Sequence, residues 1–352
     1  RQQEFDPPTG YQFFSINKCM LVIIYPTGTK RSIHLNHFIV EAEKADPDCR
    51  VITTDEFVKT HLDTWPSDTV FIIRVGSHYI NDILPTLTKI WHDGKYTVFP
   101  NVPAIKNCVR KSYFYELCKQ NNIKIPDTIA FNTDGPDWRS YDFTKFGECV
   151  IKPSIGSLGS GIYFLNPEQV PDKIESILYE GDEFYEDGCD IIVQKRIKNK
   201  KNIPESIRVF CFNGEPTCSI TLSNISDLQD KAGSNLKVDP SILYDENGNV
   251  LDAIGNDLEF DTVSNLNKGG IAGPYFADEK LKDICRKICK MTGIEFTTID
   301  FVQDENDEYY CLEANIAPHL YRGFIIYNGK INHPRMIFEH VLDKKHKGSI
   351  IL

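Results

Sequence analysis

The sequence predicts an α/β protein that is divided into lobes. Short apolar strands alternate with helix-compatible segments in the amino-terminal third, a glycine-rich loop separates two strands near the middle, and an acidic turn joins two strands near the end. The chain has 352 residues, of which 41% are hydrophobic, so it can bury a sizeable core. This length favours two or three modules over one.

Charge and cysteine content exclude several classes of protein. The formal net charge of -11 argues against general binding to nucleic acid or to anionic membranes, because both require a positive surface. The longest early apolar run, Cys19–Tyr25, is far too short to span a bilayer. The eleven cysteines are scattered singly, which is typical of reduced thiols in a cytosol-like compartment. We therefore expect a cytoplasmic protein without nucleic-acid or membrane partners.

Residues 1–103 are predicted to form a small α/β domain. Met20–Tyr25 and Val70–Val75 are apolar runs rich in β-branched residues, and polar, helix-compatible segments separate them. Arg74 lies at the end of the second run. It is a candidate for binding a substrate carboxylate, with a structural ion pair as the alternative use.

A single helix with one largely apolar face is predicted over Ala104–Asn121. The pattern stops before a proline, and its apolar residues recur at spacings near three and four: Ile105, Val109, Tyr113 and Leu117. Lys111 in this helix is a candidate for binding a phosphate. From this residue alone, a solvated lysine on the helix surface is the simpler interpretation.

A glycine-rich loop lies between two predicted strands, Cys149–Lys152 and Gly161–Leu165. Residues 152–161 read KPSIGSLGSG, and the glycines let the backbone approach a ligand and point amide hydrogens at phosphate oxygens. The loop lacks the G-K-[ST] of a Walker A motif and precedes a strand rather than a helix. Lys152, at the end of the first strand, is placed to meet phosphates under such a flap. An ordinary hairpin turn is the alternative.

The segments that follow complete the pattern of strands and helices. A helix and a strand are predicted over Pro171–Tyr179 and Ile191–Gln194. The last part is predicted to contain a hairpin with an Asn213-Gly214 turn, a polar insertion, a helix that ends at Gly293 and a final hairpin. These elements are Ile207–Phe212 with Pro216–Thr221, Ser223–Asn265, Glu279–Thr292, and Phe296–Val302 with Glu308–Ala314.

The last hairpin carries three oxygen-bearing residues in otherwise apolar strands: Asp300, Glu313 and Asn315. Glu313 and Asn315 share a face because side chains alternate along a strand. With the turn centred on the acidic loop, Asp300 would lie opposite Cys311 and diagonal to Glu313, so all three would share that face. Two carboxylates and an amide oxygen at one point predict a site for Mg²⁺ or Mn²⁺. Surface-facing residues of a half-exposed hairpin are the alternative.

Taken in order, these segments resemble the ATP-grasp superfamily over residues 100–320. The likeness is carried by the order and spacing of NVPAIKNCVRKSYFYELCKQNNIKIPDT, CVIKPSIGSLGSGIYFL, IIVQKRI, SIRVFCFNGEP, NLNKGGIAGPY and IDFVQDENDEYYCLEANIAP. The chain is most similar to the branch that contains ribosomal-protein glutamate ligase and glutathione synthetase, all carboxylate–amine ligases. The resemblance implies an ATP-grasp fold of three lobes with the nucleotide between two β-sheets. The implied domains are a pre-ATP-grasp domain, a lid domain and a metal-binding domain over residues 1–103, 104–197 and 198–352.

The resemblance also implies roles for individual residues. Lys111 and Lys152 would bind the α- and β-phosphates of ATP, and Arg208 would contact the transferring phosphoryl group, which makes Arg208 and Lys152 the catalytic candidates. The flap would close with Gly156, Ser157, Gly159 and Gly161. The adenine hinge would consist of Gln194, Lys195 and Ile197. The metal, Mg²⁺ or Mn²⁺, would be bound by Asp300, Glu313 and Asn315.

One departure from the family concerns the ribose. The family often has an acidic residue after the hinge glutamine and another before the arginine, whereas this chain has Lys195 and Ser206. Ribose contacts are therefore not implied.

The implied function is an ATP-dependent carboxylate–amine ligase that works through an acyl phosphate. Its partners would be small-molecule or peptide carboxylates and amines. Because many members of the family are dimers or tetramers, the resemblance also allows a homo-oligomer. Substrate candidates are Arg74, Asn265, His319 and Arg322. One alternative is an ATP-grasp kinase acting on a small polyanionic alcohol such as an inositol phosphate, which the basic run around Lys195 and Lys198 would suit. A non-catalytic nucleotide-binding module is the other.

Overall fold

The structure is a computed structural model that describes residues 20–28, 33–132, 137–156, 159–185, 188–199, 205–224, 270–327 and 329–346. Within these ranges the chain forms three β-sheets that follow one another along the sequence, with helices packed against them. The predicted α/β class is confirmed.

The amino-terminal lobe is a parallel sheet with its helices: β1 (Leu21–Tyr25), α1 (Ile33–Ala45), β2 (Arg50–Thr53), α2 (Thr54–Lys59), β3 (Val70–Ile73), α3 (Ser77–Asp93) and β4 (Thr97–Phe99). The strand order is β2-β1-β3-β4. Strands β1 and β3 are apolar and buried, as expected where both faces of a parallel sheet are covered. The strand order proceeds from β1 to β2 on one side and from β3 to β4 on the other, so β1 and β3 flank a topological switch point. Ligands of α/β sheets bind at the carboxyl ends of the strands at such a point.

The predicted single helix is two helices, α4 (Val102–Val109) and α5 (Lys111–Gln120). Arg110 between them is extended, with φ -92° and ψ 112°. The amide of Lys111, which would bond to residue 107 in a continuous helix, donates instead to Ser154 O at 2.9 Å. A contact with the end of a distant strand therefore ends the first helix, and no glycine or proline marks the break.

The central sheet is antiparallel, with the strand order β5-β8-β6-β7. It consists of β5 (Thr128–Phe131), β6 (Cys149–Pro153), β7 (Tyr163–Leu165), α6 (Val170–Glu175) and β8 (Ile191–Lys195). The predicted helix over Pro171–Tyr179 is α6 followed by a π-helical turn, Ser176–Glu180. The glycine-rich loop joins β6 to β7, so the predicted strand-loop-strand arrangement is present.

The carboxyl-terminal sheet has the strand order β11-β10-β9-β12-β13. Its elements are β9 (Glu205–Phe212), β10 (Glu215–Asn224), β11 (Gly270–Tyr275), α7 (Glu279–Thr292), β12 (Phe296–Gln303), β13 (Tyr309–Asn315), α8 (Tyr321–Ile326) and α9 (His333–His346). The turn between β9 and β10 has positive φ at Asn213 (51°) and Gly214 (83°), as predicted. Helix α7 ends at Gly293 with φ 71°, also as predicted. The predicted insertion lies outside the described residues from position 225 onward.

Apolar clusters join the first and last sheets. The larger cluster runs from Phe71 in β3 through α3, α4 and α5 to Phe301 in β12 and to α7. A second cluster, with Phe210 and Phe338, packs the opposite face of the carboxyl-terminal sheet. The central sheet has its own cluster around Phe131. The predicted domain boundaries stay predictions; α4 and α5, assigned from the sequence to the central domain, share the large cluster with α7.

The cysteines and the length of the helices can be inspected in the described ranges. The ten described cysteines form no disulfide, and nine of them are buried. Across the described ranges, no helix combines the length and the apolar character needed to cross a membrane.

Candidate active site

Three charged side chains stand in a row across the carboxyl-terminal sheet. Arg208 on β9 pairs in register with Asp300 on β12, and Asp300 pairs with Glu313 on β13. The Arg208 guanidinium donates two hydrogen bonds to Asp300, from Nε to Oδ1 at 2.8 Å and from Nη2 to Oδ2 at 2.7 Å. Asn315 Nδ2 lies 3.4 Å from Asp300 Oδ2 and 3.3 Å from Glu313 Oε1. The three proposed metal ligands therefore converge at one point.

The register that produces this convergence differs from the predicted one. Asp300 was expected opposite Cys311, but it pairs with Glu313, and Cys311 pairs with Phe301. Leu312 is the extra residue of a β-bulge in β13. Without the bulge, the register of the outer hairpin would put Leu312 opposite Asp300 and turn Glu313 to the other face of the sheet. The bulge is therefore what places the two carboxylates side by side.

The electrostatics of the carboxylate pair suit a hard cation. Burial raises the pKa of Asp300, and Arg208 offsets this only in part. Burial also acts to raise the pKa of Glu313, but attraction by Lys111, Lys152 and Arg208 outweighs it and lowers that pKa to about 2. Among the described residues, no group of three or more His, Cys, Asp or Glu could hold a metal, so the candidate set is the two carboxylates with the Asn315 amide. A flip of that amide would turn its oxygen toward the same point.

Lys111 connects the glycine-rich loop to the carboxylates. The break at Arg110 puts Lys111 at the first position of α5, with only 8% of the residue exposed. Its Nζ donates to Gly156 O at 2.9 Å and lies 3.3 Å from Glu313 Oε2. The simpler interpretation from sequence, a solvated surface lysine, is therefore wrong. A buried lysine that spans the two halves of the site is placed to bind an anion between them.

Lys152 is buried at the end of β6 and has no ion-pair partner among the described residues. Its Nζ lies 5.3 Å from the centre of the Tyr115 ring, and no hydrogen bond or ion pair involves it in the part of the chain that the structure describes. Burial and then repulsion by Lys111 lower its pKa to about 7, although Glu313 acts in the opposite direction. A buried cation without a close counter-ion is costly, so this site favours an anionic ligand.

The glycine-rich loop needs glycine at two positions for steric reasons. A Cβ on Gly156 would lie 2.9 Å from Pro153 Cγ, and the Gly156 carbonyl accepts hydrogen bonds from both Lys111 and Ser77. Gly161 has φ +68°, and a Cβ there would lie 2.7 Å from Phe184 Cβ. Gly159 also has positive φ, at 72°. Ser157 lies outside the described residues.

The predicted adenine hinge lies at the end of β8, next to β5. Gln194 is buried, and its Nε2 donates to Thr128 Oγ1 at 2.7 Å. The amide of Lys195 donates to Asp127 O at 2.9 Å, so Lys195 can offer an adenine its carbonyl but not its amide hydrogen. The Lys195 side chain is exposed and Ile197 is half-buried. The structure thus brings the hinge candidates together on one strand end.

Of the four substrate candidates, the structure describes the side chains of Arg74 and His319. Arg74 follows β3 at the switch point of the amino-terminal sheet, and its Nη2 donates to Pro318 O at 2.6 Å. No carboxylate pairs with Arg74 within the described ranges, so the structural ion pair considered from sequence is not seen there, and burial lowers its pKa to about 10. His319 follows Pro318 and is exposed. The side chain of Arg322 and all of Asn265 lie outside the described residues.

Two residues of the site were not predicted from the sequence. Ser77, at the first position of α3, donates to Gly156 O at 2.9 Å. Tyr115, in α5, donates to Leu312 O at 2.6 Å. Ser77 follows a β3 strand end, and Tyr115 lies one helical turn after Lys111, so strand-end and helix-face arguments could have identified both.

The chain is similar to one protein-family model and to several solved structures. Residues 242–337 match the RimK-like ATP-grasp domain. By sequence, no curated protein matches the chain. Among solved structures, D-alanine–D-alanine ligase from Bacillus anthracis in complex with ATP is 15% identical, with a TM-score of 0.64 over 95% of this chain and 100% of that chain.

Two further structures show the same likeness. The D-cycloserine synthetase DcsG is 12% identical, with a TM-score of 0.61 over 92% of this chain and 99% of that chain. A RiPP-associated ATP-grasp ligase from Chryseobacterium gregarium, in complex with ADP and a leader and core peptide, is 15% identical, with a TM-score of 0.56 over 93% of this chain and 97% of that chain. The predicted fold is confirmed: the chain has the ATP-grasp fold, and residues 242–337 are similar to the RimK-like ATP-grasp domain.

Proposed function

We propose that the protein is an ATP-dependent carboxylate–amine ligase. A substrate carboxylate oxygen would attack the γ-phosphorus of ATP to give an acyl phosphate and ADP, and an amine would then displace inorganic phosphate to form an amide. The observation that carries this proposal is the position of Lys111, whose Nζ contacts both Gly156 O in the glycine-rich loop and Glu313 in the carboxylate pair. The loop and the carboxylates thus face one space. The RimK-like domain match and the ligase relatives support the same reaction class.

The residues of the site divide the work on the phosphates. Lys111 and Lys152 would bind phosphate oxygens from the side of the loop. The negative charge of the phosphates would raise the pKa of Lys152 again and keep it protonated. A Mg²⁺ or Mn²⁺ ion bound by the two carboxylates and Asn315 would neutralise charge on the triphosphate. Arg208, which now holds both oxygens of Asp300, would turn at least one donor toward the transferring phosphoryl group. The loop around Gly156 would cover the site and exclude water from the acyl phosphate.

The acid is proposed to bind at the carboxyl ends of β1 and β3. Arg74 supports this placement because it is a partly buried cation without a carboxylate partner in the described ranges, and it contacts Pro318, which follows the metal hairpin. An anionic group of the substrate would supply the missing counter-charge. Arg74→Gln is expected to raise the KM for the acid by about tenfold or more while leaving the KM for ATP unchanged. An unchanged KM for the acid would count against this placement.

The reaction class can be tested without knowing the amine. Hydroxylamine converts an acyl phosphate to a hydroxamate, so the protein is incubated with Mg-ATP, hydroxylamine and a panel of amino acids, small organic acids and peptides. Peptides belong in the panel because several relatives are described as complexes with precursor or core peptides. A ligase gives hydroxamate and ADP in equal amounts, only when the acid is present. Phosphate that stays on an alcohol would contradict the proposal and favour the kinase.

The basic run is a poor site for a polyanionic alcohol. Arg196 Nη1 donates to Glu148 at 2.9 Å, and Lys198 pairs with the same carboxylate. The hydrogen bond from Lys198, together with attraction by both cations, lowers the pKa of Glu148. Two of the described basic residues, Arg196 and Lys198, are thus engaged in a structural ion pair, which favours the ligase over the kinase.

A further inference from the structure

We infer that Tyr115 is a positioning residue for the metal site: its buried hydroxyl fixes the bulge in β13 that turns Glu313 toward Asp300. The inference rests on the proposed function, because it takes Glu313 as a ligand of a catalytic metal. It goes beyond that function by naming a residue that is not itself a proposed ligand of metal or nucleotide and yet sets the geometry of the metal ligands.

The hydroxyl of Tyr115 satisfies the backbone where the ladder is broken. A bulge leaves its extra residue outside the regular strand pairing, and a buried carbonyl there needs another donor. Tyr115, which is 1% exposed, supplies that donor to Leu312 O at 2.6 Å. Burial raises the pKa of Tyr115 well above its ordinary value, so the phenol keeps its proton and remains a donor over the working pH range.

Helix α5 holds Glu313 through both its side chain and its backbone. Lys111, at the start of α5, attracts the Glu313 carboxylate at 3.3 Å. Tyr115, one turn later on the same face, holds the carbonyl of the residue immediately before Glu313. The ring of Tyr115 also lies 5.3 Å from Lys152 Nζ. The same face of α5 therefore carries Lys111, approaches Lys152 and contacts the backbone next to Glu313.

The alternative is that Tyr115 only fills the core. It belongs to the large apolar cluster, and for packing alone phenylalanine would serve equally well. Tyr115→Phe therefore separates the two roles, because it keeps the ring and removes only the hydroxyl. The matched control is Tyr113→Phe in the same helix, where the tyrosine is 49% exposed.

The test measures metal binding directly. Mn²⁺ is titrated into wild-type protein and both variants in the presence of a non-hydrolysable ATP analogue, and free Mn²⁺ is followed by electron paramagnetic resonance. We expect Tyr115→Phe to weaken Mn²⁺ binding by about 10- to 100-fold, as for other residues that orient metal ligands, and Tyr113→Phe to leave it unchanged. Binding of the analogue in EDTA should be the same in all three proteins. Unfolding in urea, measured in parallel, reports any general loss of stability.

A second variant tests the bulge itself. Deletion of Leu312 removes the extra residue, so a regular ladder would keep Glu313 opposite Asp300 without any bulge. Adding Tyr115→Phe to this deletion should then leave Mn²⁺ binding unchanged, because no bulge remains for the hydroxyl to fix. The inference is overturned if Tyr115→Phe binds Mn²⁺ like wild type, or if it loses metal and metal-free nucleotide binding equally. If the wild-type protein binds no Mn²⁺ with the analogue, the proposed function itself fails and the inference fails with it.

Discussion

Glu313→Gln is expected to lower turnover with Mg-ATP by about 10²- to 10³-fold, the loss seen when one preorganised electrostatic group is removed from a reaction centre. The substitution keeps the shape of the side chain and removes its charge. In the structure that charge lies 3.3 Å from Lys111 and helps to hold Asn315, so its loss affects both the metal ligands and the phosphate side of the site. Since the pKa of Glu313 is lowered to about 2, the carboxylate is ionised throughout the working pH range.

The control for this substitution lies on the same hairpin. Glu308→Gln removes a carboxylate that pairs with Lys124 and Lys280 on the surface, at 2.8 Å in each case. Surface pairs contribute little to stability, so Glu308→Gln should retain wild-type turnover. ADP formation is measured for both variants as a function of Mg²⁺ concentration. Wild-type turnover in Glu313→Gln, or equal losses in both variants, would contradict the role given to Glu313.

Lys152→Met is expected to abolish turnover and at the same time to stabilise the fold. Lys152 is buried without a hydrogen-bond partner in the described ranges, and its pKa of about 7 shows that the folded protein disfavours its charge. Replacing such a cation by an apolar side chain of similar length removes that cost, and the free energy of unfolding near neutral pH should rise by roughly 1 kcal/mol or more. Turnover should fall because the phosphates lose a ligand.

The cost of burying Lys152 should depend on pH in a defined direction. Below about pH 7 both the folded and the unfolded chains carry the proton on Lys152, so its cost is fully present. Between that pH and the ordinary pKa of 10.5, the folded protein releases the proton while the unfolded chain keeps it, so the free energy of unfolding of the wild type rises with pH. Lys152→Met should lack this contribution, and the difference between the two proteins should shrink as the pH rises.

The exposed residue Lys280, in α7, provides the comparison. Lys280→Met removes a surface lysine and should change neither turnover nor the pH profile appreciably. Urea unfolding at several pH values and an ADP assay are sufficient for the comparison. A Lys152→Met protein that is less stable than wild type at neutral pH, or that turns over normally, would contradict the account of this lysine.

Much of the site could be predicted because it lies on regular elements with strong local patterns. Asp300, Glu313 and Asn315 stand out as polar residues in apolar strands, and the period of two along a strand assigns Glu313 and Asn315 to one face. The glycines of the loop predict a backbone that packs closely against its neighbours, and Gly161 has positive φ and no room for a Cβ. These inferences use only neighbours in sequence, where the physical rules are strongest.

The parts that could not be predicted depend on contacts between distant segments. The bulge at Leu312 is held by Tyr115, nearly two hundred positions earlier in the chain, and nothing in the local sequence of β13 marks it. The break at Arg110 arises from a hydrogen bond to Ser154 O, and it converts Lys111 from an expected surface lysine into a buried one. Such contacts override local patterns, which is why the predicted register of the last hairpin and the predicted exposure of Lys111 were wrong.

The proposed arrangement has Lys111, Lys152 and the carboxylates facing a single bound triphosphate. It is tested most directly with an ATP analogue whose terminal phosphate carries a reactive acyl group, which acylates lysines that lie beside the phosphates. After proteolysis, mass spectrometry should find the label on Lys111 or Lys152. Excess Mg-ATP, present during the reaction, should prevent this labelling. Labelling confined to exposed lysines such as Lys280, or labelling of the two site lysines that Mg-ATP does not reduce, would contradict this arrangement.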